Sequence, residues 1–274
     1  SEAPRPEGPS PALTPAPPGG SVSHGHPPPA PRTAWVVVAL LMPVALLNYL
    51  DRQLLAAMQG SVMADIPTIA SQANWGFMLG QFKWVYAAFS LVGGYAADRF
   101  GRRPTICGSL FVWSAVTWWT GQVTTYHELL WARSLMGVSE AFYIPAALAL
   151  IADHHAAATR SRAVGLHQTA IYCGVIAGGF GGYAADEPLI GWRFAFALCG
   201  YAGMAYAVPL LLALRDNRGA TETPAARPTP LAAAGELASN GSFLLMVLYF
   251  TLPAMAAWVV RDWMPAILKK EFGL

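Results

Sequence analysis

The chain contains seven apolar segments, each about as long as a membrane is thick. A hydrocarbon core of about 30 Å is crossed by roughly 20 helical residues, because an α-helix rises about 1.5 Å per residue. Lipid offers the backbone no hydrogen-bond partners, so segments this long cross as helices. The segments lie at 34–59, 75–97, 104–124, 128–151, 163–185, 192–214 and 242–266. We number them spans 1 to 7 and predict an all-α membrane protein.

The amino-acid composition supports the same class. Of 274 residues, 55% are hydrophobic and 12% are charged, and the mean hydropathy is +0.40. A soluble domain carries about 25% charged residues, so an integral membrane protein is predicted. A net charge of +2 without a basic cluster argues against nucleic acid as a partner. We find no metal-ligand spacing, phosphate-binding loop or evident nucleophile, and therefore expect no cofactor, no metal and no enzymatic activity.

Four regions follow from the distribution of proline and apolar residues. Residues 1–32 are proline-rich and have no long apolar run, which predicts a disordered tail rather than a signal peptide. Spans 1 to 6 form a predicted six-helix bundle at 33–214. Residues 215–241 mix charges with prolines, which predicts a cytoplasmic linker, and span 7 lies within 242–274.

Arginines sort to one side of the predicted membrane. They follow even-numbered spans, at Arg99, Arg102, Arg103, Arg160, Arg162, Arg215, Arg218 and Arg227. Loops after spans 1, 3 and 5 contain no lysine or arginine. The positive-inside rule then predicts a cytoplasmic N-terminus. Lys269 and Lys270 would lie outside, against the rule.

Spans 1 to 4 contain five charged residues away from their first and last residues. They are Asp51, Arg52, Lys83, Arg133 and Glu140. A charge at the centre of a bilayer costs roughly 3 kcal/mol on insertion scales. Charges of both signs are therefore expected to face one another or a water-filled cavity, on one face of the bundle. This pattern indicates the polar lining of a transport route for a charged solute.

Glycine and proline inside the spans suggest packing features. In span 5, Gly174, Gly178 and Gly182 recur every fourth residue, which predicts the close approach of another helix. Prolines that could kink their helices are Pro43, Pro145, Pro209 and Pro253.

The segment after span 2 reads Gly94-Tyr95-Ala96-Ala97-Asp98-Arg99-Phe100-Gly101-Arg102-Arg103. It resembles the signature loop of the major facilitator superfamily at every defined position. The resemblance implies that Gly94, Asp98, Arg99, Gly101, Arg102 and Arg103 form a gating loop, which latches the inner gate in the outward-open state.

Two further segments are similar to the same superfamily: Asp153-His154-His155 after span 4 and Gly191-Trp192-Arg193 at the start of span 6. A full member has twelve helices in two halves. The resemblance therefore implies a major facilitator fold consisting of a six-helix N-terminal bundle plus the first helix of the second half. The chain is expected to be a fragment whose missing C-terminal half would supply the other wall of the cavity.

Span 1 contains Asn48-Tyr49-Leu50-Asp51-Arg52, and span 4 contains Arg133 and Glu140. This arrangement resembles the anion:cation symporters, which carry sugar acids and other organic anions, and also the spinster-like carriers. The symporters usually have Gly-Glu-Gly in span 4. Ser139-Glu140-Ala141 departs from that pattern and is closer to spinster-like sequences.

These residues predict proton-coupled alternating access. Glu140 is the leading candidate to accept the proton, and Asp51 is a second proton site or a partner that holds Arg52. Arg52 and Arg133 are expected to bind an anionic group, because guanidinium and carboxylate form bidentate pairs. Adjacent residues on a helix point about 100° apart, so Asp51 and Arg52 are expected to face different partners.

Other polar residues have open roles. Lys83, with Tyr86 one turn on, either contacts substrate or pairs with Asp51 or Glu140. His167 is expected at a solvent-facing or capping position, with a proton role as the alternative. Tyr172 and Gln81 are candidate cavity residues. Arg261 and Asp262 are interpreted as a local or gating ion pair.

The sequence thus predicts a carrier that symports protons and a small anionic solute in a lipid bilayer, at a bacterial inner (plasma) membrane. A spinster-like lipid or lysolipid carrier is the alternative. A drug:proton antiporter is disfavoured because no proline follows the glycines of span 5. A seven-helix receptor or retinal protein fits the number of spans, but the signature loop disfavours this class. A retinal protein is further disfavoured because the interior of span 7 has no lysine.

Overall fold

The computed structural model describes residues 31–187, 190–216 and 230–273. Almost all of the predicted tail 1–32, and residues 217–229 of the predicted linker, lie outside the described residues, as do Arg218 and Arg227. The helices are α1 (Pro31–Ala57), α2 (Gln59–Asp65), α3 (Gln72–Phe100), α4 (Arg102–Thr120), α5 (Tyr126–Glu140), α6 (Tyr143–His154), α7 (Ala157–Gly179), α8 (Gly181–Asp186), α9 (Gly191–Ala213), α10 (Pro230–Ser239) and α11 (Gly241–Phe272). A 3-10 turn at Pro67–Ile69 follows α2.

The all-α prediction is confirmed: the described part of the chain contains no strand. Span 1 corresponds to α1, span 2 to α3, span 3 to α4, span 6 to α9 and span 7 to α11. Span 4 consists of α5 and α6, and span 5 of α7 and α8. Two features had no counterpart in the sequence analysis: α2 with its 3-10 turn, and α10, which occupies part of the predicted linker.

Among the residues that the structure describes, five helical stretches are long and apolar enough to cross a membrane by length and composition alone: Arg32–Ala57, Tyr126–His154, Ala157–Asp186, Gly191–Ala213 and Gly241–Phe272. Spans 2 and 3 are less apolar. In α4 the reason is visible, because Ser114, Thr117 and Thr120 are buried inside the bundle rather than directed to lipid. Packing against protein explains how a span with this many hydroxyl groups fits the fold.

Glycines allow α7 to lie directly against α1. A Cβ added to Gly174 would lie 2.2 Å from the carbonyl oxygen of Leu46, and one added to Gly178 would lie 2.7 Å from that of Leu50. Since no side chain fits at these distances, the contact requires glycine. The predicted close approach at the glycines of span 5 is thus confirmed.

Two apolar cores lie one above the other along the bundle axis. The first contains Val37, Leu41, Ile106, Tyr143, Leu150 and Leu210, and the second contains Leu55, Met58, Trp75, Phe82, Leu129 and Phe196. On α1 the first core ends at Ala45 and the second begins at Leu54. The polar segment around Asn48, Asp51 and Arg52 therefore lies between the cores, at middle depth.

Span 4 is interrupted directly after Glu140. Ala141 and Phe142 form a turn between α5 and α6. Pro145 lacks the N–H that would donate to the carbonyl of Ala141 four residues earlier. Gly93 makes room for that carbonyl, because a Cβ there would lie 2.6 Å from the Ala141 oxygen. Pro145, one of the prolines that could kink their helices, and Gly93 thus account for an interruption immediately beside a candidate proton site.

The helix α11, which corresponds to span 7, has no buried residue. Its contacts come from its second half. The Trp263 ring lies 3.2 Å from where a Cβ on Gly76 would be, and Gln53 Nε2 donates to the Arg261 carbonyl at 3.5 Å. Lys269 Nζ lies 2.6 Å from Asp186 of α8.

The opposite end of the bundle from the arginine-rich loops is tied together by Arg193. Its Nε donates to Asp65 Oδ2 at 2.8 Å, and its Nη1 donates to the carbonyls of Gly121 and Val123 at 3.2 and 2.6 Å. The Trp192 indole also donates to Asp65, at 3.1 Å. The Gly-Trp-Arg segment therefore holds α2, α4 and α9 in one arrangement.

Candidate functional site

A buried ion pair joins span 1 to span 4. Arg52 Nε on α1 donates to Glu140 Oε2 on α5 at 2.6 Å. The Glu140 side chain is 0% exposed and that of Arg52 is 20% exposed. Glu140 thus depends on the protein for its counter-charge, whereas Arg52 keeps partial contact with the surroundings.

Aromatic rings surround Arg52 of this pair and the nearby cation Arg133. The Arg52 guanidinium lies 4.8 Å from the Tyr49 ring centroid, 5.0 Å from Phe82 and 4.6 Å from Tyr86. The Arg133 guanidinium lies 4.5 Å from the same Phe82 ring. Cation–π attraction stabilises a guanidinium over an aromatic face. Phe82 therefore holds two positive charges near each other.

Arg133 is a buried cation with 1% exposure. Its Nη1 donates to the sulfur of Met136 at 2.9 Å, and it forms no ion pair with any described residue. A buried charge is costly unless it is paired. Arg133 is thus the strongest candidate within the described bundle to bind an anion from outside the chain.

Asp51 faces a different helix from its neighbour Arg52. Its Oδ2 accepts from Thr117 Oγ1 of α4 at 3.0 Å, and the residue is 2% exposed. This confirms that Asp51 and Arg52 do not share a partner. The alternative in which Asp51 holds Arg52 is not what the structure shows, because Glu140 takes that position.

The polar layer contains several buried atoms without a hydrogen-bond partner. They are Asn48 Nδ2 and Oδ1, Asp51 Oδ1, Arg52 Nη2, Arg133 Nε and Glu140 Oε1. Buried polar groups in native proteins are nearly always hydrogen-bonded. A group of both donors and acceptors in one layer is what a site for a polar solute requires.

Lys83 pairs with a residue that the sequence analysis assigned elsewhere. Its Nζ contacts Asp262 of α11, and it lies 5.8 Å from the Trp258 ring centroid. The expected partners Asp51 and Glu140 were wrong, because α11 brings an acid closer. Of the five charges in the spans, Arg52, Arg133 and Glu140 converge around Phe82, while Asp51 and Lys83 have partners of their own.

The predicted gating loop, 94–103, consists of the end of α3, Gly101 and the start of α4, and it contacts two other helices. Arg102 contacts Asp153 at the end of α6, and its Nη2 lies 3.8 Å from Asp98 Oδ1. Arg103 Nε donates to the Leu211 carbonyl of α9 at 2.9 Å. Gly101 has a φ of 109°, a conformation that favours glycine.

The flanks of the loop are more open. A Cβ added to Gly94 would lie 4.0 Å from the Pro145 side chain, an ordinary contact distance, and the Arg99 guanidinium lies 6.0 Å from the Phe100 ring centroid. Arg160 Nη2 donates to the Ala152 carbonyl at 3.3 Å, one residue from Asp153. The signature loop and Arg160 therefore lie at the same end of the bundle, as expected.

His167 is buried, with 1% exposure, so the expectation of a solvent-facing or capping position was wrong. The cause is that α7 begins at Ala157, which places His167 well inside the helix. Its Nε2 lies 2.8 Å from the Tyr143 hydroxyl, which donates to the Leu41 carbonyl at 3.1 Å. These contacts brace spans 1, 4 and 5.

The two candidate cavity residues lie apart from this layer. Gln81 Nε2 donates to Ser134 Oγ at 2.6 Å, and Tyr172 is 54% exposed on α7. Sequence reasoning assigned no role to Asn48 and Thr117, which are buried polar residues of the layer. Asn48 could have been found, because it lies three residues before Asp51 on the same helix.

Residues 41–274 match the model of a protein family described as Major Facilitator Superfamily. The chain belongs to this superfamily. It is 32% identical over 252 residues to human Protein spinster homolog 1, an alignment that covers 88% of this chain and 47% of that protein. It is 31% identical over 187 residues to a Bacillus subtilis (strain 168) protein described as "Probable galactarate/D-glucarate transporter", covering 64% of this chain and 39% of that protein.

A solved structure shares the fold. It is a bacterial homolog to the human lysosomal transporter Spinster, in an inward-facing and occupied conformation. It matches with a TM-score of 0.74 and 22% sequence identity, over 89% of this chain and 56% of that one. The chain spans about half the length of the curated relatives it matches.

These matches confirm the superfamily that the signature loop predicted. They also confirm the resemblance to the anion:cation symporters and to the spinster-like carriers. They also confirm an integral membrane protein and a transporter family rather than an enzyme.

Proposed function

We propose that the protein is a secondary active transporter that symports protons with a small organic anion by alternating access. The observation that carries the proposal is the buried Arg52–Glu140 pair beside the unpaired cation Arg133. A scaffold of ion pairs alone would neutralise each buried charge. This layer keeps one guanidinium without an acid and several unpartnered polar atoms.

Arg133 and Arg52 provide the anion site. Both have buried nitrogen atoms without a hydrogen-bond partner. Guanidinium groups present parallel N–H donors that match the two oxygens of a carboxylate. Since Phe82 contacts both cations, both guanidinium groups are available to the carboxylates of one solute once the buried layer opens.

Exchange of partners couples the anion to a proton. A substrate carboxylate that binds Arg52 competes with Glu140 for the same guanidinium. Glu140 is 0% exposed, so losing its counter-ion leaves a buried charge. Accepting a proton removes that charge, because burial favours the neutral form of a carboxyl group. Asp51, bound to Thr117 in the same layer, is the second proton site.

We propose a sugar acid or another small carboxylate as substrate, because the arrangement of Arg and Glu matches the symporters and one relative is named for galactarate and D-glucarate. The second candidate is a lipid or lysolipid. It is supported by the longer alignment with a spinster homologue, 88% of the chain against 64%, and by Ser139-Glu140-Ala141.

The arginine-rich end, with Arg102, Arg103 and Arg160, supports a cytoplasmic N-terminus, and a bacterial inner membrane stays a prediction. The proposed partner is a second helical half that closes the open side of the bundle. In the working cycle, the loop 94–103 acts as the gate at the arginine-rich end.

The test is uptake into proteoliposomes by the protein encoded by the complete gene, driven by an inward proton gradient. The panel contains D-glucarate, other carboxylates, a neutral polyol and a lysolipid. We expect Glu140→Gln to abolish gradient-driven uptake and to keep substrate exchange. The matched control is Glu128→Gln, which changes an acid in the capping box at the other end of α5. Undiminished gradient-driven uptake by Glu140→Gln overturns the coupling role. Transport of the lysolipid and of no other solute in the panel would support the second candidate, a lipid or lysolipid carrier.

A further inference from the structure

We propose that Asp262 of span 7 is a built-in competitor for substrate: its carboxylate occupies, at Lys83, the position that a substrate carboxylate takes. The inference deepens the function proposed above and rests on it. In this proposal, Lys83 and Trp258 form a second anion subsite beside Arg133. Asp262 must leave Lys83 before a substrate carboxylate can bind there.

The geometry of the pair supports displacement. Lys83 and Asp262 contact each other while their side chains are 31% and 19% exposed. Trp258 adds an aromatic face 5.8 Å from the Lys83 nitrogen. A pair with this exposure can exchange one carboxylate for another, whereas a fully enclosed pair would first have to be opened.

The balance of charge points the same way. Spans 1 to 4 contribute three cations to the layer, Arg52, Lys83 and Arg133, and two acids, Asp51 and Glu140. Three positive and two negative charges leave one positive charge uncompensated. On α11, Arg261 carries a positive charge, and the adjacent Asp262 supplies a negative charge in contact with Lys83. A bound carboxylate can supply it instead, and Asp262 is then free to move away.

Displacement of Asp262 from Lys83 would remove one of the few polar contacts that hold α11 against the bundle. The other described polar contacts of its second half are the 3.5 Å hydrogen bond from Gln53 and the Lys269–Asp186 pair. Losing the Lys83 contact therefore loosens span 7 beside the site. Substrate binding and movement of span 7 are coupled through one exchange of carboxylates.

The first test measures the accessibility of Lys83 without any ligand. The printed sequence contains three lysines, Lys83, Lys269 and Lys270, so labelling with an amine-reactive reagent can be quantified residue by residue by mass spectrometry. In the protein encoded by the complete gene, Asp262→Asn should accelerate labelling of Lys83 about fivefold or more relative to Lys270. The matched control, Asp186→Asn, should accelerate Lys269 and leave Lys83 unchanged. Equal labelling of Lys83 in the wild type and Asp262→Asn overturns the inference.

The second test uses affinity for D-glucarate, with sorbitol as the neutral probe of the same carbon skeleton. Asp262→Asn should bind D-glucarate about fivefold or more tightly than the wild type, within the usual range of coupling between sites. Lys83→Met should bind it more weakly by a similar factor. Sorbitol should show neither effect, and D-glucarate should slow labelling of Lys83 in Asp262→Asn.

The opposite effects of Asp262→Asn and Lys83→Met on the affinity for D-glucarate distinguish a competitor for substrate from an ion pair that only holds two helices together. If the Lys83–Asp262 pair only held span 7 in place, both variants would break this ion pair and shift the affinity for D-glucarate in the same direction. A shift in the same direction, or no binding of D-glucarate to Asp262→Asn, refutes the inference. Failure of the proposed function is a separate result: Glu140→Gln would keep gradient-driven uptake while the contrast between Lys83 and Asp262 persisted.

Discussion

Removing one member of the Arg52–Glu140 pair should affect stability unequally. We expect Arg52→Met to destabilise the protein much more than Glu140→Gln. The reason is exposure: Glu140 is 0% exposed and Arg52 is 20% exposed. The carboxylate left by Arg52→Met has no contact with solvent, whereas the guanidinium left by Glu140→Gln keeps some.

The magnitudes follow from the contacts. Breaking a buried pair by removing one partner costs about 3–5 kcal/mol. Arg52→Met also loses three ring contacts at 4.6–5.0 Å, which places it at the upper end of that range. Glu140→Gln retains an oxygen that can accept from Arg52 Nε, so we expect a loss of about 1–2 kcal/mol.

The double variant Arg52→Met with Glu140→Leu is the decisive comparison. Replacing both ions with apolar side chains of similar volume is often neutral or stabilising. We expect the double variant to lie within about 1 kcal/mol of the wild type, although it should not transport. The two single losses are therefore strongly non-additive, as expected for groups in direct contact.

Thermal unfolding in detergent, followed by tryptophan fluorescence, measures these differences. At about 2–4 °C per kcal/mol, Arg52→Met should lower the melting temperature by roughly 6–20 °C and Glu140→Gln by roughly 2–8 °C. The reasoning is refuted if Glu140→Gln is the less stable single variant. It is equally refuted if the double variant loses the sum of the two.

Two further predictions concern the scaffold. Gly174→Ala should destabilise the protein by about 1–3 kcal/mol, because its Cβ would lie 2.2 Å from the Leu46 oxygen. Gly165→Ala on the same helix meets nothing within 4 Å and should be neutral or stabilising by about 0.5–1 kcal/mol in the same unfolding assay. Arg193→Leu should cost about 1–3 kcal/mol, because it leaves two carbonyls without this donor and leaves Asp65 with the Trp192 indole alone. Asp65→Asn should cost less in chemical denaturation. A larger loss of unfolding free energy for Asp65→Asn than for Arg193→Leu would contradict the role of Arg193 in holding α2, α4 and α9 together.

The fold could be predicted because its determinants are local. Apolar segments of about 20 residues locate the spans, and the glycines at 174 and 178 mark the contact with α1 through spacing alone. The interruption after Glu140 was not predicted, although Pro145 was noted, because the position of a break also depends on the room that Gly93 provides.

The site could be predicted only in part. The charged residues themselves stand out, since each is costly within an apolar span. Their pairing depends on which helices meet, and Lys83 and Asp262 are separated by 179 positions. His167 was misjudged for a related reason: helix periodicity gives little information in a membrane, where lipid and protein interior are both apolar.

The interruption in span 4 has a mechanical meaning. A continuous helix bends only by breaking or stretching its hydrogen bonds, but between α5 and α6 the ladder is already incomplete. Tilting α5 against α6 therefore costs little backbone energy, and the hinge lies at the residue that bonds to Arg52. The proposed protonation of Glu140 would therefore act at the position where α5 meets α6, and would remove the charge that holds Arg52 there.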